Sequence, residues 1–256
     1  MIFKDQLNRA IRLSTSPKRI ISLVPSQTEL LIDLGLKERL VGITKFCVHP
    51  KNLKDDIAVV GGTKNVHYDK IEALQPDLII CNKEENTLEM VQVLEEIGPV
   101  WVSDITDIEE SLDMIERLGD LLDVKDKALG LVAMITSEKN AFEQFVKTRS
   151  LKKVAYLIWK KPYMAAGKDT FIHSLLGLNR FENIVSETRY PEVSVEQLSM
   201  ADLILLSTEP FPFKETDVSE LKNIVNTEVQ IVDGEYFSWY GSRLQNAFAY
   251  FKTLHE

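Results

Sequence analysis

The sequence VKDKALGLVAMITSEKNAFEQFVK, from Val124 to Lys147, lies at the middle of a chain of 256 residues. Its apolar residues recur at steps of three and four, the spacing of one face of an α-helix: Ala128, Leu131, Val132, Ile135, Phe142, Phe145 and Val146. No proline interrupts the run, and Asp123 is a residue type that caps helix N-termini. The pattern predicts one helix over Asp123–Thr148, about 36 Å long.

The two flanks of this helix resemble each other. The first contains KRIISLV, ELLIDLGL, DKIEALQPDLIICN and VWVSD, and the second contains KKVAYLIW, FIHSLLGL, EQLSMADLILLS and VQIVD in the same order. Strands that alternate with helices are typical of parallel sheets covered on both faces. The sequence therefore predicts an α/β fold of two doubly wound parallel-sheet lobes linked by one long α-helix, with residues 1–122 and 149–256 as the lobes and 123–148 as the connection.

The charge and the hydrophobicity of the chain limit which partners and which locations the sequence predicts. A net charge of -9 argues against nucleic acid and against an anionic membrane surface, since both attract basic patches. No apolar run approaches the roughly 20 residues that a spanning helix needs. The start, MIFKDQLNRAIRL, lacks the apolar core of a secretory signal, so the sequence as it stands predicts a cytoplasmic protein.

Ligands of doubly wound sheets bind outside the carboxyl ends of the strands. Two facing lobes are expected to form a cleft there, with Ser26 and Gly62 in loops of the first lobe. Loops of the second lobe are rich in rings, which suit a large flat ligand unless they pack beneath their own loops: Tyr163, Tyr190, Phe211, Phe213, Phe237, Trp239 and Tyr240.

The sequence contains no catalytic motif and no complete metal site. It lacks G-x-G-x-x-G, a Walker lysine loop, H-E-x-x-H and G-x-S-x-G, so it predicts no enzyme and no intrinsic cofactor. Cys47 and His49 have the spacing of two metal ligands, but a closed site needs three or four. A partly buried cysteine beside a surface histidine is the simpler interpretation.

The order of several motifs resembles a known family. RIISLVPSQTELLIDLGL, VGITKFCVHP, the glycine pair, DKIEALQPDLIICN, VWVSD, MAAGKDTFIHSLL, YPEVSVEQL and GSRL together resemble the helical-backbone substrate-binding proteins of ABC importers for cobalamin and ferric siderophores. The resemblance covers the chain from Lys18 to the end. It implies binding of a corrinoid or an iron chelate, without chemistry, by a monomer that serves a dimeric ABC permease, and it implies a periplasmic location.

The resemblance also implies site residues. Phe46 matches a cleft aromatic of the first lobe, Tyr190 stands where cobalamin binders tend to have tryptophan, and Phe237 and Trp239 lie in the last cleft loop. For an anionic chelate, Arg189 and Arg243 are the arginines in these loops.

Asp69 and Glu196 align with acidic residues through which the family docks on its permease. Both also lie near a predicted helix N-terminus, where the helix dipole alone favours a carboxylate.

Two alternatives stay open. One is a cytoplasmic enzyme or chaperone that handles the same cofactor, and the other is a sensor or interaction module that kept the fold without the pocket.

Overall fold

The structure is a computed structural model, and it describes residues 1–256. The chain divides into two compact units. Unit 1 comprises Met1–Asp104, Glu109–Ile135 and Tyr240–Arg243, and unit 2 comprises Ile105–Ile108, Thr136–Trp239 and Leu244–Glu256. The boundary falls inside the central helix, so the predicted division into residues 1–122, 123–148 and 149–256 stays a prediction.

Twelve strands and eleven α-helices make up the two units. The strands are β1 (Ile2–Lys4), β2 (Ala10–Arg12), β3 (Ile20–Ser22), β4 (Leu40–Ile43), β5 (Ala58–Val59), β6 (Leu78–Asn82), β7 (Val100–Ser103), β8 (Lys152–Trp159), β9 (Met164–Ala165), β10 (Phe181–Asn183), β11 (Leu203–Ser207) and β12 (Glu228–Val232). The helices are α1 (Pro25–Asp33), α2 (Leu53–Asp56), α3 (Tyr68–Ala73), α4 (Leu88–Ile97), α5 (Ile108–Leu121), α6 (Lys125–Val146), α7 (Phe171–Leu178), α8 (Val195–Leu198), α9 (Glu215–Lys222), α10 (Glu235–Ser238) and α11 (Leu244–Thr253).

The sheet of unit 1 is parallel and doubly wound. Its strand order is β5-β4-β3-β6-β7, so the chain builds outward from β3 in one direction and then in the other. Every residue of β3, β6 and β7 is buried, without the alternation of a half-exposed strand. Continuous burial is expected when helices cover both faces of a parallel sheet.

Unit 2 repeats this architecture around β8. The parallel order is β10-β8-β11-β12, and β9 adds a short antiparallel pair to β8. Strand β8 and helix α7 begin and end as the sequence pattern predicts, because both are bounded by clear changes of polarity. The α/β fold of two doubly wound lobes linked by one long helix is therefore confirmed.

The long helix begins two residues later than predicted, at Lys125, and ends at Val146. Asp123 is not its N-cap. Asp123 has a φ of 59°, and the N–H of the next residue, Val124, donates to the carbonyl of Gly119 at 2.8 Å. This is the Schellman arrangement that ends a helix with a left-handed residue. Asp123 therefore terminates α5, and the prediction of an N-cap was wrong.

The first residues of the chain form a hairpin, β1–β2, whose turn lies along the outer edge of β7. The carboxylate of Asp5 is fully buried and accepts hydrogen bonds from the backbone N–H of Val102 and from Arg9 Nε. Gln6 Oε1 accepts from Asp104 N–H, and Arg9 Nη2 donates to the carbonyl of Val100. Side chains thus satisfy the edge strand where a sixth strand would otherwise pair, which blocks edge-to-edge association.

None of the helices combines the length and the apolar character that crossing a bilayer requires.

Candidate functional site

The carboxyl ends of β3, β6 and β7 in unit 1 enclose a neutral polar cluster. Gln27 Nε2 donates to Ser103 Oγ at 2.5 Å and lies 3.4 Å from the hydroxyl of Tyr240. Ser26 also hydrogen bonds to Tyr240, and its side chain is buried. Burial raises the pKa of Tyr240, so its hydroxyl stays protonated. The structure places Ser26 in this cluster, beneath the sheet edge.

Phe46 and Gly62 come together on the loops after β4 and β5. The ring of Phe46 is 49% exposed, and its Cε2 atom lies 3.3 Å from where a Cβ atom on Gly62 would be. Gly61 beside it has a φ of 131°, a conformation that favours glycine. Two residues predicted separately from the sequence thus lie together: the exposed ring of Phe46 packs against the buried Gly62.

Cys47 faces the interior and does not form half of a metal site. Its sulfur lies 3.2 Å from Thr28 Oγ1 and 3.3 Å from Thr44 Oγ1. Burial raises the pKa of the Cys47 thiol, which keeps the sulfur protonated, whereas a metal binds the thiolate. No group of three or more potential metal ligands forms around Cys47 and His49 or elsewhere.

The loop after β6 carries a half-buried carboxyl group, that of Glu85. Asn82 Oδ1 accepts from the backbone N–H groups of Glu84 and Glu85, and Asn86 Oδ1 accepts from Asn82 N–H. These bonds fix the loop and hold Glu85 half-buried against Thr63. Burial is the main cause that raises the pKa of Glu85, and the negative charge of the neighbouring Glu84 raises it further. An Asn-x-x-x-Asn spacing after a buried strand is the signal that could have indicated this rigid loop.

In unit 2, Tyr163 and Tyr190 lie on adjacent segments. Val193 N–H donates to the carbonyl of Tyr163 at 2.9 Å, and both rings are half-buried. The guanidinium of Arg189 lies 5.6 Å from the ring centre of Tyr190, and its Nη1 donates to the carbonyl of Asp169. Tyr163 and Tyr190 thus retain accessible surface at the carboxyl edge of this sheet.

Phe237 and Trp239 do not expose their rings. Phe237 is fully buried, with its ring centre 5.0 Å from that of Tyr156 and 4.9 Å from that of Phe251. Trp239 is 8% exposed. Phe237 is a core residue of unit 2, and its predicted place in a ligand-binding wall is corrected here. Phe213 and Tyr240 are buried as well. Phe213 packs edge-to-face on Phe211 with the ring centres 4.7 Å apart, and Tyr240 belongs to the polar cluster of unit 1.

A ring that the sequence analysis did not select, Trp159, lies at the end of β8. Trp159 is 41% exposed, and its ring packs edge-to-face on Phe211 with the centres 5.6 Å apart. A tryptophan at the last position of a strand, followed by Lys160 and by Pro162, is the available signal. Trp159 therefore joins Tyr163 and Tyr190 as a candidate binding residue of unit 2.

Both predicted docking acids lie in the first turns of short helices. Asp69 is exposed in α3 of unit 1, and Glu196 is exposed in α8 of unit 2. A hydrogen bond from Ser194 lowers the pKa of Glu196, so it is a carboxylate at neutral pH. Each acid is accessible on its own unit, as a docking residue must be.

Two known proteins that are similar in sequence to this chain are named as binding proteins. The chain is 29% identical over 191 residues to an uncharacterized ABC transporter substrate-binding lipoprotein, YvrC, of Bacillus subtilis, covering 72% of this chain and 60% of that protein. It is 27% identical over 184 residues to a vitamin B12-binding protein of Vibrio campbellii, covering 71% and 66% of the two chains. The chain thus spans about two thirds or less of the length of these relatives.

A solved structure shares the fold. A possible iron-binding, periplasmic solute-binding protein of Staphylococcus epidermidis superposes with a TM-score of 0.80 at 24% identity, covering 94% of this chain and all of that one. The sequence model of the family described as periplasmic binding protein matches residues 20–223, which include the whole parallel sheet of unit 1 and every strand of the unit 2 sheet except β12. The chain therefore belongs to the periplasmic binding protein family.

Proposed function

We propose that this protein is the substrate-binding component of an ABC import system for a large, metal-containing small molecule, either a corrinoid or an iron chelate. The observation that carries the proposal is the set of accessible rings at the carboxyl edge of each sheet: Phe46 beside Gly62 in unit 1, and Trp159, Tyr163 and Tyr190 in unit 2. Accessible aromatic rings on loops held by hydrogen bonds suit a ligand with a large, flat and partly apolar surface.

The polar residues at the carboxyl edges of the two sheets favour ligand binding over catalysis. The polar groups nearest the edge of unit 1 are neutral or fixed by hydrogen bonds to the protein, such as Gln27, Asn82 and Tyr240. A nucleophile paired with a base is the minimum for covalent catalysis. His255 packs on Phe181 and His173 hydrogen bonds to Asn183, while the Cys47 thiol, two residues from His49, lies within hydrogen-bond distance of Thr28 and Thr44. The proposed protein therefore binds its ligand and releases it unchanged, in contrast to a salvage enzyme.

The partner in this proposal is a dimeric permease. Asp69 and Glu196 are exposed at equivalent positions of the two units, and paired carboxylates suit a two-fold partner with basic pockets. In this proposal the protein is a monomer. It acts on the outer side of the membrane, since the relatives are named as a lipoprotein and as a periplasmic protein.

Native mass spectrometry and visible absorbance of protein purified from its own host test the proposal. A retained, coloured ligand at one per chain is the expected result. A colourless protein that also fails to take up cyanocobalamin or ferric chelates would favour the interaction-module alternative. Conversion of the added compound would favour the enzyme.

A further inference from the structure

Of the two arginines predicted to grip an anionic ligand, Arg243 already binds an acid of the protein. The other, Arg189, is exposed to water and donates to the carbonyl of Asp169. Arg243 Nε lies 2.9 Å from Glu29 Oε2, and Arg243 Nη2 lies 2.6 Å from Glu29 Oε1. The two side chains are only 12% and 18% exposed. This is a bidentate salt bridge, in which the carboxylate of Glu29 neutralises the charge of the guanidinium. It also occupies the two N–H donors that would otherwise bind a carboxylate of the ligand.

The lysine at the end of β8 is bound twice. Lys160 Nζ lies 2.5 Å from Asp217 Oδ1 and 2.6 Å from Glu220 Oε2. These hydrogen bonds raise the pKa of Lys160, and Lys160 in turn lowers the pKa of Asp217, so this pair is charged. One cation with two anions leaves this cluster with a net negative charge.

Carboxyl groups also follow other strands at the same edges. Glu85 follows β6 in unit 1, and Glu209 and Asp233 follow β11 and β12 in unit 2. All three are half-buried. The field at these edges therefore attracts cations and hydrogen-bond donors and repels anions.

Two exposed lysines of unit 1 do not make the electrostatic field at the sheet edge positive. Lys45 Nζ lies 5.0 Å above the ring of Phe46, and Lys64 Nζ donates to the carbonyl of Glu84 at 3.1 Å. Both side chains are exposed. An exposed, hydrated ammonium interacts weakly with an anion because water screens the pair.

We infer that the ligand is a neutral or cationic metal complex rich in amide or other hydrogen-bond donors, and that the protein discriminates against polyanionic complexes. The inference rests on the proposed function and selects among its ligands. A ligand carboxylate or catecholate would lose its hydration at these edges without gaining a desolvated cation, and it would meet acids of like charge.

Matched ligands that differ in charge and little in shape test the inference. The affinity of the full chain is measured for cyanocobalamin and for its derivative with one peripheral amide hydrolysed to a carboxylate. A second pair compares a neutral ferric trihydroxamate with an anionic ferric tricatecholate. Within the pair that binds, we expect the anionic member to bind at least about tenfold more weakly, since like-charge juxtaposition is costly. Equal or tighter binding of the anionic member would contradict the inference.

Two variants test whether the acids paired with Arg243 and Lys160 cause the discrimination against anionic ligands. Glu29→Gln removes the counter-charge of Arg243, and Glu220→Gln removes one of the two acids on Lys160. Each should reduce the discrimination against the anionic ligand by about threefold or more, with little change for the neutral one. The matched control is Asp56→Asn, which removes the partner of the exposed Lys37 and should leave the discrimination unchanged.

The outcomes separate the two proposals. Binding of both members with equal affinity overturns the charge selectivity and leaves the binding function standing. Discrimination that both variants leave unchanged also overturns the inference, because the paired cations would then play no part. Binding of no member of either pair overturns the proposed function and the inference with it.

Discussion

The carboxylate of Asp5 accepts a hydrogen bond from the backbone N–H of Val102 at 3.2 Å, on the outer edge of strand β7. The same carboxylate accepts from the backbone of Leu7 and Arg9 and from the Arg9 guanidinium. One buried acid therefore folds the N-terminal turn and closes the sheet edge. This segment precedes residues 20–223, which match the family, and it is a feature of this chain that the family match does not cover.

Replacing Asp5 with Ala should destabilise the protein. The change leaves the Val102 N–H and the Arg9 guanidinium without their shared acceptor, and we expect a loss of at least about 2 kcal/mol in the free energy of unfolding. Urea denaturation followed by circular dichroism measures it. Glu95→Gln is the control, since Glu95 binds the same arginine but is half exposed, and it should have a small effect. Equal effects of the two changes would show that Asp5 has no special role.

Phe46 and Phe237 should respond oppositely to truncation. Phe46→Ala removes an exposed ring and should weaken ligand binding by about 1–3 kcal/mol, as loss of a stacking ring does, with little change in stability. Phe237→Ala opens a cavity among Tyr156 and Phe251 and should cost about 3–5 kcal/mol of stability. Thermal melts and equilibrium binding measure the two effects. A stable Phe237→Ala protein would mean that its ring is not part of the core.

Tyr190→Ala tests the edge of unit 2 in the same way. The ring is half-buried, and we expect ligand affinity to fall by about 1–3 kcal/mol while the melting temperature stays nearly the same. A large fall in melting temperature with unchanged affinity would identify Tyr190 as a packing residue.

Glu85 should make stability depend on pH. Burial raises its pKa in the folded protein, so the folded state holds this proton more tightly than the unfolded state does. The stability that Glu85 contributes is therefore lost as pH rises from its unfolded pKa through its folded pKa. Glu85→Gln should be more stable than the parent at pH 7 and similar to it at pH 4. Denaturation at both pH values measures this, with exposed Glu96→Gln as the control. If the free energies of unfolding of the parent and of Glu85→Gln differed by the same amount at both pH values, the raised pKa of Glu85 would be contradicted.

The sequence predicts those elements whose signals are local. Strand β8 and helix α7 are bounded by sharp changes between apolar and polar residues, and their bounds agree with the structure. Asp123 carries an ambiguous signal, because aspartate suits both an N-cap and a left-handed helix end. Only the bond from Val124 to Gly119 decides between them.

Site residues are harder to predict, because burial depends on distant parts of the chain. The ring of Phe237 is enclosed by β8 and α11, which no nearby residue indicates. The partners of Arg243 and Lys160 lie 214 and 57 residues away in sequence, so their neutralisation is invisible to a local pattern. The loops that carry Phe46 and Gly62, in contrast, come directly after strands, where the topology alone requires an accessible edge. Phe46 itself was predicted from the family resemblance.

Charge reversal tests the docking proposal. A double Asp69→Lys, Glu196→Lys variant should abolish ligand uptake by cells and leave ligand affinity intact, since both residues are exposed and neither lies in a sheet-edge loop. Glu72→Lys, an exposed acid on the same helix as Asp69, is the control and should retain transport. Uptake at the normal rate by the double variant would rule out docking through these residues.

The most direct test of binding without turnover is recovery of the ligand. The protein is mixed with excess cyanocobalamin or a ferric trihydroxamate, separated by size exclusion, and denatured, and the released compound is identified by mass spectrometry. The account predicts co-elution of one ligand per chain and recovery of the unchanged compound. Absence of co-elution with every ligand, or recovery of a converted product, would contradict it.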